Sequence, residues 1–426
     1  MRRYHLWTVG CQVNVADSAK LAAGLDQYGL QAVGTPEEAD LVVLNTCAVR
    51  QGAEDRAIGR LHALRRLKGQ RGELTIAMMG CMVGMRTDDL ERRFPWVDIF
   101  ARPQQFDDIM HAAAAEVGDL GGEFWPQTVG QPQGVTAYVP VIEGCNKFCT
   151  YCIVPYRRGR ERSRPLEEIA HEVAMHVRRG VREVTLLGQT VEAYGLDLSD
   201  RPDLGDLMRS IHDLPGLERI RFLTSYPRDM TDRIIETVAE LPKVCECFSL
   251  PVQAGHDDVL DAMHRGYSLS EYRRTIERVR RLMPHAGITT DVIVGFPGET
   301  DEQFEATCEL LQELRYDKVH VAAYSPRPGT IAYRKLADNV PEATKKARLQ
   351  RVEAIQERIA TTINTGLLAS TVEVLVEGEK DGRPHGRTRT GKIVHIQGAG
   401  DALDAGRLVN VIIDRATAWS LQGTIV

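Results

Sequence analysis

The chain has 426 residues, 43% hydrophobic and 26% charged, which is material for two or three domains because single cores stop growing near about 250–300 residues. No run approaches the roughly 18 apolar residues of a membrane helix, and the opening MRRYHLWTVGCQVN has no apolar segment of signal-peptide kind, so a cytoplasmic protein without a membrane partner is expected. The formal net charge of −6 argues against nucleic acid on bulk charge alone, and nine cysteines are too few for a disulfide scaffold, so clustered thiols read as metal ligands or catalytic groups.

Residues 1–118 alternate strand-like runs, YHLWTVG, LVVLNT and LTIAMMG, with helical patterns. Such alternation predicts a parallel sheet with helices on its faces. Each run ends on a cysteine, Cys11, Cys47 or Cys81, and residues just past the strand ends of an open parallel sheet line one crevice. A Gly/Pro/Gln-rich stretch, WPQTVGQPQG (125–134), reads as a linker. Over 131–361 six strand candidates follow: TAYVPVIE, REVTLLG, RIRFLTS, CECFSLPV, TTDVIVGF and KVHVAAYS, separated by helical segments. This predicts a partial (β/α)6 barrel with its chemistry at the C-terminal strand ends. A basic helical segment then leads into 363–426, whose short alternating runs predict a small antiparallel β-barrel. The fold class is therefore α/β, with an open parallel sheet, a partial barrel and a small β-barrel in chain order.

The strongest chemical signal is GCNKFCTYCIVPY, which spaces Cys145, Cys149 and Cys152 as C-x3-C-x2-C. Three thiolates on one loop can hold three irons of a 4Fe–4S cluster and leave the fourth open. The amino and carboxylate groups of S-adenosylmethionine can chelate that iron, and one electron passed to the sulfonium would cleave a carbon–sulfur bond. Zinc prefers four ligands in paired C-x2-C units, and no second pair lies near. Of the other cysteines, the 11/47/81 trio is nearly as readable as coincidental core thiols, and Cys245, Cys247 and Cys308 read as packed side chains.

GCNKFCTYCIVPYRRGRERSRP resembles the radical S-adenosylmethionine superfamily and, within it, the methylthiotransferases of the tRNA-modifying branch. GCQVNVADS, NTCAVRQGAEDR, MMGCM, LLGQTVEAYG, LPVQAGHDDVLDAMHRGY and DVIVGFPGET are similar to its other motifs, and GRTRTGKIVHI resembles its RNA-binding TRAM domain. One departure is GCQVN, with Val13 where many members have Met. The resemblance implies a second, auxiliary 4Fe–4S cluster on Cys11, Cys47 and Cys81 that supplies or carries sulfur. It implies two molecules of S-adenosylmethionine per turnover, and Tyr151 lying against the adenine of that cofactor. The implied reaction is methylthiolation of N(6)-dimethylallyladenosine at tRNA position 37. A sister branch acts on threonylcarbamoyladenosine or on a ribosomal-protein aspartate, but Glu161 in YRRGRERSR and GCQVN instead of GCKVN favour the first.

Gly188, Gln189, Ser225, Gln253 and Gly295 sit at strand ends and are candidates for cofactor contact, with plain βα turns an equal alternative for each. Arg157, Arg158, Arg160, Arg162 and Arg164 follow the cysteine loop, and Arg387 and Arg389 lie in the C-terminal module. Both groups are expected to grip phosphate of a tRNA anticodon stem-loop, since the arginine fork gives paired charge-assisted hydrogen bonds. An electron donor of unspecified identity and a monomeric state complete the expectation.

Overall fold

Strands β1 (Arg3–Thr8), β2 (Gln31–Ala32), β3 (Leu41–Thr46), β4 (Thr75–Gly80) and β5 (Ile99–Ala101) form a parallel sheet in the order β2-β1-β3-β4-β5. The computed structural model describes residues 1–114, 130, 132, 134–397 and 403–426, and most of the linker expected at 125–134 lies outside the described residues. β3 reads LVVLNT and is buried at every position, as a central strand covered on both faces must be. Its alternate side chains feed two cores. Val42 and Leu44 join Ala53, Ala57, Leu61 and Leu64, the apolar stripe of helix Gln51–Arg71. Leu41 and Val43 join Leu21 and Leu25 of helix Gln12–Gln27 and Ile109 of helix Asp107–Ala114. β2 and β5, two and three residues long, were not legible as strands.

The chain divides into two compact units. The first takes Met1–Pro132 with the short segments Glu143–Asn146 and Cys152–Glu161, and the second takes Gln133–Ile142, Lys147–Tyr151 and Arg162–Val426. The loop carrying Cys145, Cys149 and Cys152 is thus shared between them along the chain.

In the second unit the six expected strands are all present and parallel. β6 (Thr136–Pro140), β7 (Glu183–Leu187) and β8 (Arg219–Leu223) form one three-stranded sheet; β9 (Cys247–Ser249), β10 (Gly287–Val294) and β11 (Lys318–Ala323) form another. An isolated parallel bridge, Ile220 to Val244, links the two. Helix Glu342–Thr365 leads into a closed barrel of β12 (Thr371–Lys380), β13 (Arg383–Thr388), β14 (Ile393–Gln397), β15 (Leu408–Ala416) and β16 (Leu421–Ile425), in the order β12-β13-β14-β16-β15. Its core is Val374, Val376, Val394, Ile396, Val411, Ile413 and Leu421. One pairing, β14 with β16, is parallel, where the sequence led us to expect an antiparallel module throughout. That parallel pair closes the barrel. Among the described residues no helix is long and apolar enough to cross a membrane.

Candidate functional site

The order β1-β3-β4 makes the three cysteine-bearing strands of the first unit adjacent, and their parallel register brings their C-terminal ends to one edge. Two asparagines lock that edge. Asn14 donates Nδ2 to the carbonyls of Val9 and Thr46, both at 3.0 Å, and Asn45 donates to Asn14 O at 2.8 Å and Ser18 Oγ at 2.9 Å. Gly80 (φ +96°) completes it, because a Cβ there would lie 2.4 Å from Asn45 Oδ1. Cys11 is exposed at the start of helix Gln12–Gln27, while Cys47 and Cys81 are buried directly after β3 and β4. Burial pushes the Cys81 thiol up to about 11 and raises that of Cys47, and the charges of their fellow cysteines add to the shift in both. Arg158 lies against Cys81 and opposes the shift. It is buried, and its Nη2 donates to Asp17 Oδ2 at 2.8 Å and Asn14 Oδ1 at 2.9 Å.

Among the described residues no three His, Cys, Asp or Glu side chains close on a single metal ion. The three thiols nonetheless lie just past the ends of three adjacent parallel strands, at one sheet edge.

The loop of the second trio is tied at both ends. Gly144 (φ +72°) admits the approach of the Arg160 carbonyl, 2.1 Å from where a Cβ would stand, and Cys145 N donates to Gly159 O at 3.1 Å. Glu161 accepts from Asn146 N and Asn146 Nδ2, each at 3.0 Å. Further along, Phe148 takes a left-handed φ of 50°, and Thr150 bonds to Met263 O through its amide and to Ala262 O through its hydroxyl. Arg265 lies beneath that stretch: its Nη1 stands 3.4 Å from Cys149 Sγ and 3.4 Å from Tyr151 Oη. Nothing in the sequence singles out Arg265, which follows His264 in the motif MHRGY.

The strand-end candidates differ in kind. Gly188 is required by packing, since a Cβ would meet Ile142 Cγ2 at 2.5 Å. Gly295 (φ +69°) abuts the Lys345 side chain and donates its amide to Glu299 Oε2 at 2.6 Å. Gln189 is half-buried just beyond β7. Ser225 and Gln253 are buried, Gln253 with its Oε1 lacking a hydrogen-bond partner among the described residues, and both Gln253 and Thr224, next to Ser225, have a left-handed φ of 74°. Strained backbone beside an orphaned polar atom marks a place built for a ligand. Glu192 belongs with them although sequence reasoning missed it. It is buried, one oxygen accepts from Tyr226 N at 3.0 Å, and burial, moderated by Ser225 and the Tyr226 amide, pushes its carboxyl up to about 7.

The arginine run is not one surface. Arg158 points into the first thiol edge, Arg157 is half-buried, and Arg164 is taken up by Glu172 at 2.6 Å and Pro140 O at 2.7 Å. Arg160 and Arg162 are exposed. In the C-terminal barrel, Arg387 is exposed and pairs with Glu377 at 2.9 Å, whereas Arg389 is occupied by four hydrogen bonds to Glu246, Pro242 O and Val244 O. Arg158, Arg164 and Arg389 are therefore internal ties: Arg158 is buried against Asp17, and the guanidinium groups of Arg164 and Arg389 are engaged by protein acceptors.

Three family models match the chain: an uncharacterized protein family, UPF0004, over residues 3–101, the radical SAM superfamily over 139–311, and the TRAM domain over 368–426. A tRNA-2-methylthio-N(6)-dimethylallyladenosine synthase of Roseiflexus sp. (strain RS-1) is 47% identical over all of this chain and 90% of its own length. One of the same description from Dehalococcoides mccartyi (strain ATCC BAA-2266 / KCTC 15142 / 195) is 45% identical over 100% of this chain and 99% of its own. The chain belongs to the methylthiotransferase family of radical S-adenosylmethionine enzymes. Its fold is also that of the radical S-adenosylmethionine methyltransferase TsrM from Kitasatospora setae, at a TM-score of 0.58 and 14% identity over 78% of this chain and 75% of that one. Membership of the radical S-adenosylmethionine enzymes brings a 4Fe–4S cluster and S-adenosylmethionine, and the residues fit both. The donors are thiols, a buried guanidinium faces one of them, and Gln253 carries an unpartnered polar atom at a strand end of the barrel.

Proposed function

We propose that the chain converts N(6)-dimethylallyladenosine at position 37 of tRNA to its 2-methylthio derivative, and that its two cysteine trios each hold a 4Fe–4S cluster. The observation that carries this reading is the convergence of Cys11, Cys47 and Cys81 at one sheet edge, in a chain that separately has the C-x3-C-x2-C loop. Radical generation needs only the loop trio; a second set of thiols is what sulfur insertion adds.

When bound, the loop cluster and S-adenosylmethionine supply the radical that activates an unreactive C–H bond, and a second S-adenosylmethionine per turnover supplies the methyl group. Cys145, Cys149 and Cys152 would hold that cluster, with the loop set by Glu161 and Gly144. Ser225, Gln253 and Glu192 offer the polar atoms that would orient the cofactor at the strand ends. A Glu192 carboxyl that titrates near neutrality can donate or accept a hydrogen bond there according to its proton. Cys11, Cys47 and Cys81 would hold the auxiliary cluster, with Arg158 offsetting thiolate charge and Asp17 fixing Arg158. Arg160, Arg162 and Arg387 are the exposed cations placed to meet the backbone of the anticodon stem-loop, whose unstacked bases can be splayed into a pocket.

The division of labour follows the expected domains, 1–118 for sulfur, 131–361 for radical chemistry and 363–426 for RNA, in a cytoplasmic monomer that takes electrons from a separate donor. Nucleoside analysis of tRNA from a strain lacking the protein, and from the same strain complemented, tests the reading. The 2-methylthio form of dimethylallyladenosine should vanish and return. Loss of methylthio-threonylcarbamoyladenosine instead would transfer the chain to the sister branch.

A further inference from the structure

Arg265 is only 4% exposed, and no Asp or Glu among the described residues pairs with it. Its donors are spread over neutral partners: Nη2 to Pro251 O at 2.9 Å and Nε to Tyr267 Oη at 3.1 Å. The guanidinium lies over the rings of Tyr226 at 4.6 Å and Tyr267 at 5.3 Å, so aromatic faces take part of its charge. A buried cation without a counter-ion is strongly disfavoured. Of the ionisable groups beside it, which include the Tyr151 and Tyr267 phenols, the Cys149 sulfur, 3.4 Å from Nη1, is the one that a metal would hold as its anion. Arg158 is the instructive contrast, since a carboxylate, that of Asp17, pairs with it directly at 2.8 Å.

We propose that Arg265 is a positioning residue that sets the redox poise of the loop cluster through Cys149. The proposal rests on the reading that Cys145, Cys149 and Cys152 ligate that cluster. The one-electron reduced cluster carries one more negative charge than the oxidised one. A fixed cation donating a hydrogen bond to a ligand sulfur, in a site that excludes water, stabilises the reduced form and raises its potential. Tyr151, also bonded to Arg265, is held by the same guanidinium, so one side chain fixes both the ligand and its aromatic neighbour.

The test is an EPR-monitored redox titration of the full chain with Cys11, Cys47 and Cys81 replaced by Ala, so that only loop iron reports. Arg265→Gln should lower the ratio of reduced to oxidised cluster at a fixed donor potential by about tenfold, equivalent to ~59 mV for one electron. Arg265→Lys keeps the charge and should recover most of the loss. A potential unmoved in the Gln variant, or moved equally in both, overturns the proposal. Iron content separates the two failures: a background without about four irons per chain shows that the loop holds no cluster, and the proposal falls with that reading. If the Gln variant does not fold, the same triple-alanine background grown on 15N-arginine takes its place. Pulsed EPR of its reduced state should show a nitrogen coupling that Arg265→Lys removes, and a spectrum identical in the two overturns the assignment.

Discussion

Arg389 holds Glu246 through two hydrogen bonds, Nε to Oε2 at 2.9 Å and Nη2 to Oε1 at 2.8 Å. Glu246 precedes β9, and the same turn of the C-terminal barrel meets other strand beginnings. Arg221 of β8 donates to the carbonyls of Arg389 and Thr388, Lys392 pairs with Asp317 just before β11, and Thr390 abuts Gly287 at the start of β10. The turn thus docks on the N-terminal ends of the strands, the face that serves stability in such barrels, and away from the C-terminal ends where chemistry sits.

Arg389 and Arg387 should therefore separate. Arg389→Ala removes a two-pronged ion pair and two carbonyl bonds and should destabilise the chain by about 1–3 kcal/mol, seen as a lower thermal midpoint, with the salt dependence of tRNA binding intact. Arg387→Ala should leave the melt unchanged and flatten the salt slope by about one unit, one phosphate contact's worth. Titrations of an anticodon stem-loop at several salt concentrations decide it. An Arg389 variant with an unchanged melt and a flatter slope would sink the assignment.

Removing residues from 363 onward is a harsher change than a clean loss of an RNA module. Arg219 is fully buried and donates to Arg387 O at 2.7 Å and Glu373 Oε1 at 2.7 Å, so truncation takes away both acceptors of that cation. The expected outcome is a large drop in soluble yield and early proteolysis within the (β/α) unit. The Arg219→Met substitution in the truncated chain should recover part of it. Truncation that leaves yield and protease resistance untouched refutes this.

The proposed pair of clusters predicts a simple iron count. With Cys145, Cys149 and Cys152 replaced together, about four irons per chain should remain, and the same should hold with Cys11, Cys47 and Cys81 replaced instead. Loss of all iron or of none in either variant contradicts two sites. Cys47→Ala should still cleave S-adenosylmethionine under reduction yet yield no methylthio product; full product from it would remove the auxiliary trio from the chemistry.

Glu192 gives stability a pH dependence. Its folded value, raised by burial to about 7, exceeds the ordinary value near 4.5. The folded state then binds the proton more tightly, so the contribution is complete below the ordinary value and is lost as pH rises through about 7. Glu192→Gln keeps an acceptor for the Tyr226 amide and carries no proton to lose. It should be the more stable chain at about pH 8, by on the order of 2–3 kcal/mol, with the gap closing toward about pH 5. Thermal midpoints across that range would expose the idea as wrong if the two chains stayed parallel.

Much of the architecture could be read directly. The strand runs ending on Cys11, Cys47 and Cys81 and the six (β/α) strands all appear, because period-two and period-3.6 patterns persist over several residues. β2 and β5 escaped, since two or three residues make no period. Glu192 and Arg265 escaped for another reason. Each is a single charged residue in a short segment between longer elements, and nothing local distinguishes a solvated charge from a buried one.

The sequence by itself determined the chemistry on offer: which thiols exist, their spacing on the loop, and their place at strand ends, because these depend on covalent order and local periodicity. Only the tertiary structure decided what each charge faces. Arg158, Arg164 and Arg389 looked like phosphate ligands beside Arg160, Arg162 and Arg387, yet the first three are consumed by Asp17, Glu172 and Glu246. A guanidinium's role is set by the partner that reaches it first, and those partners lie from eight to more than a hundred residues away along the chain.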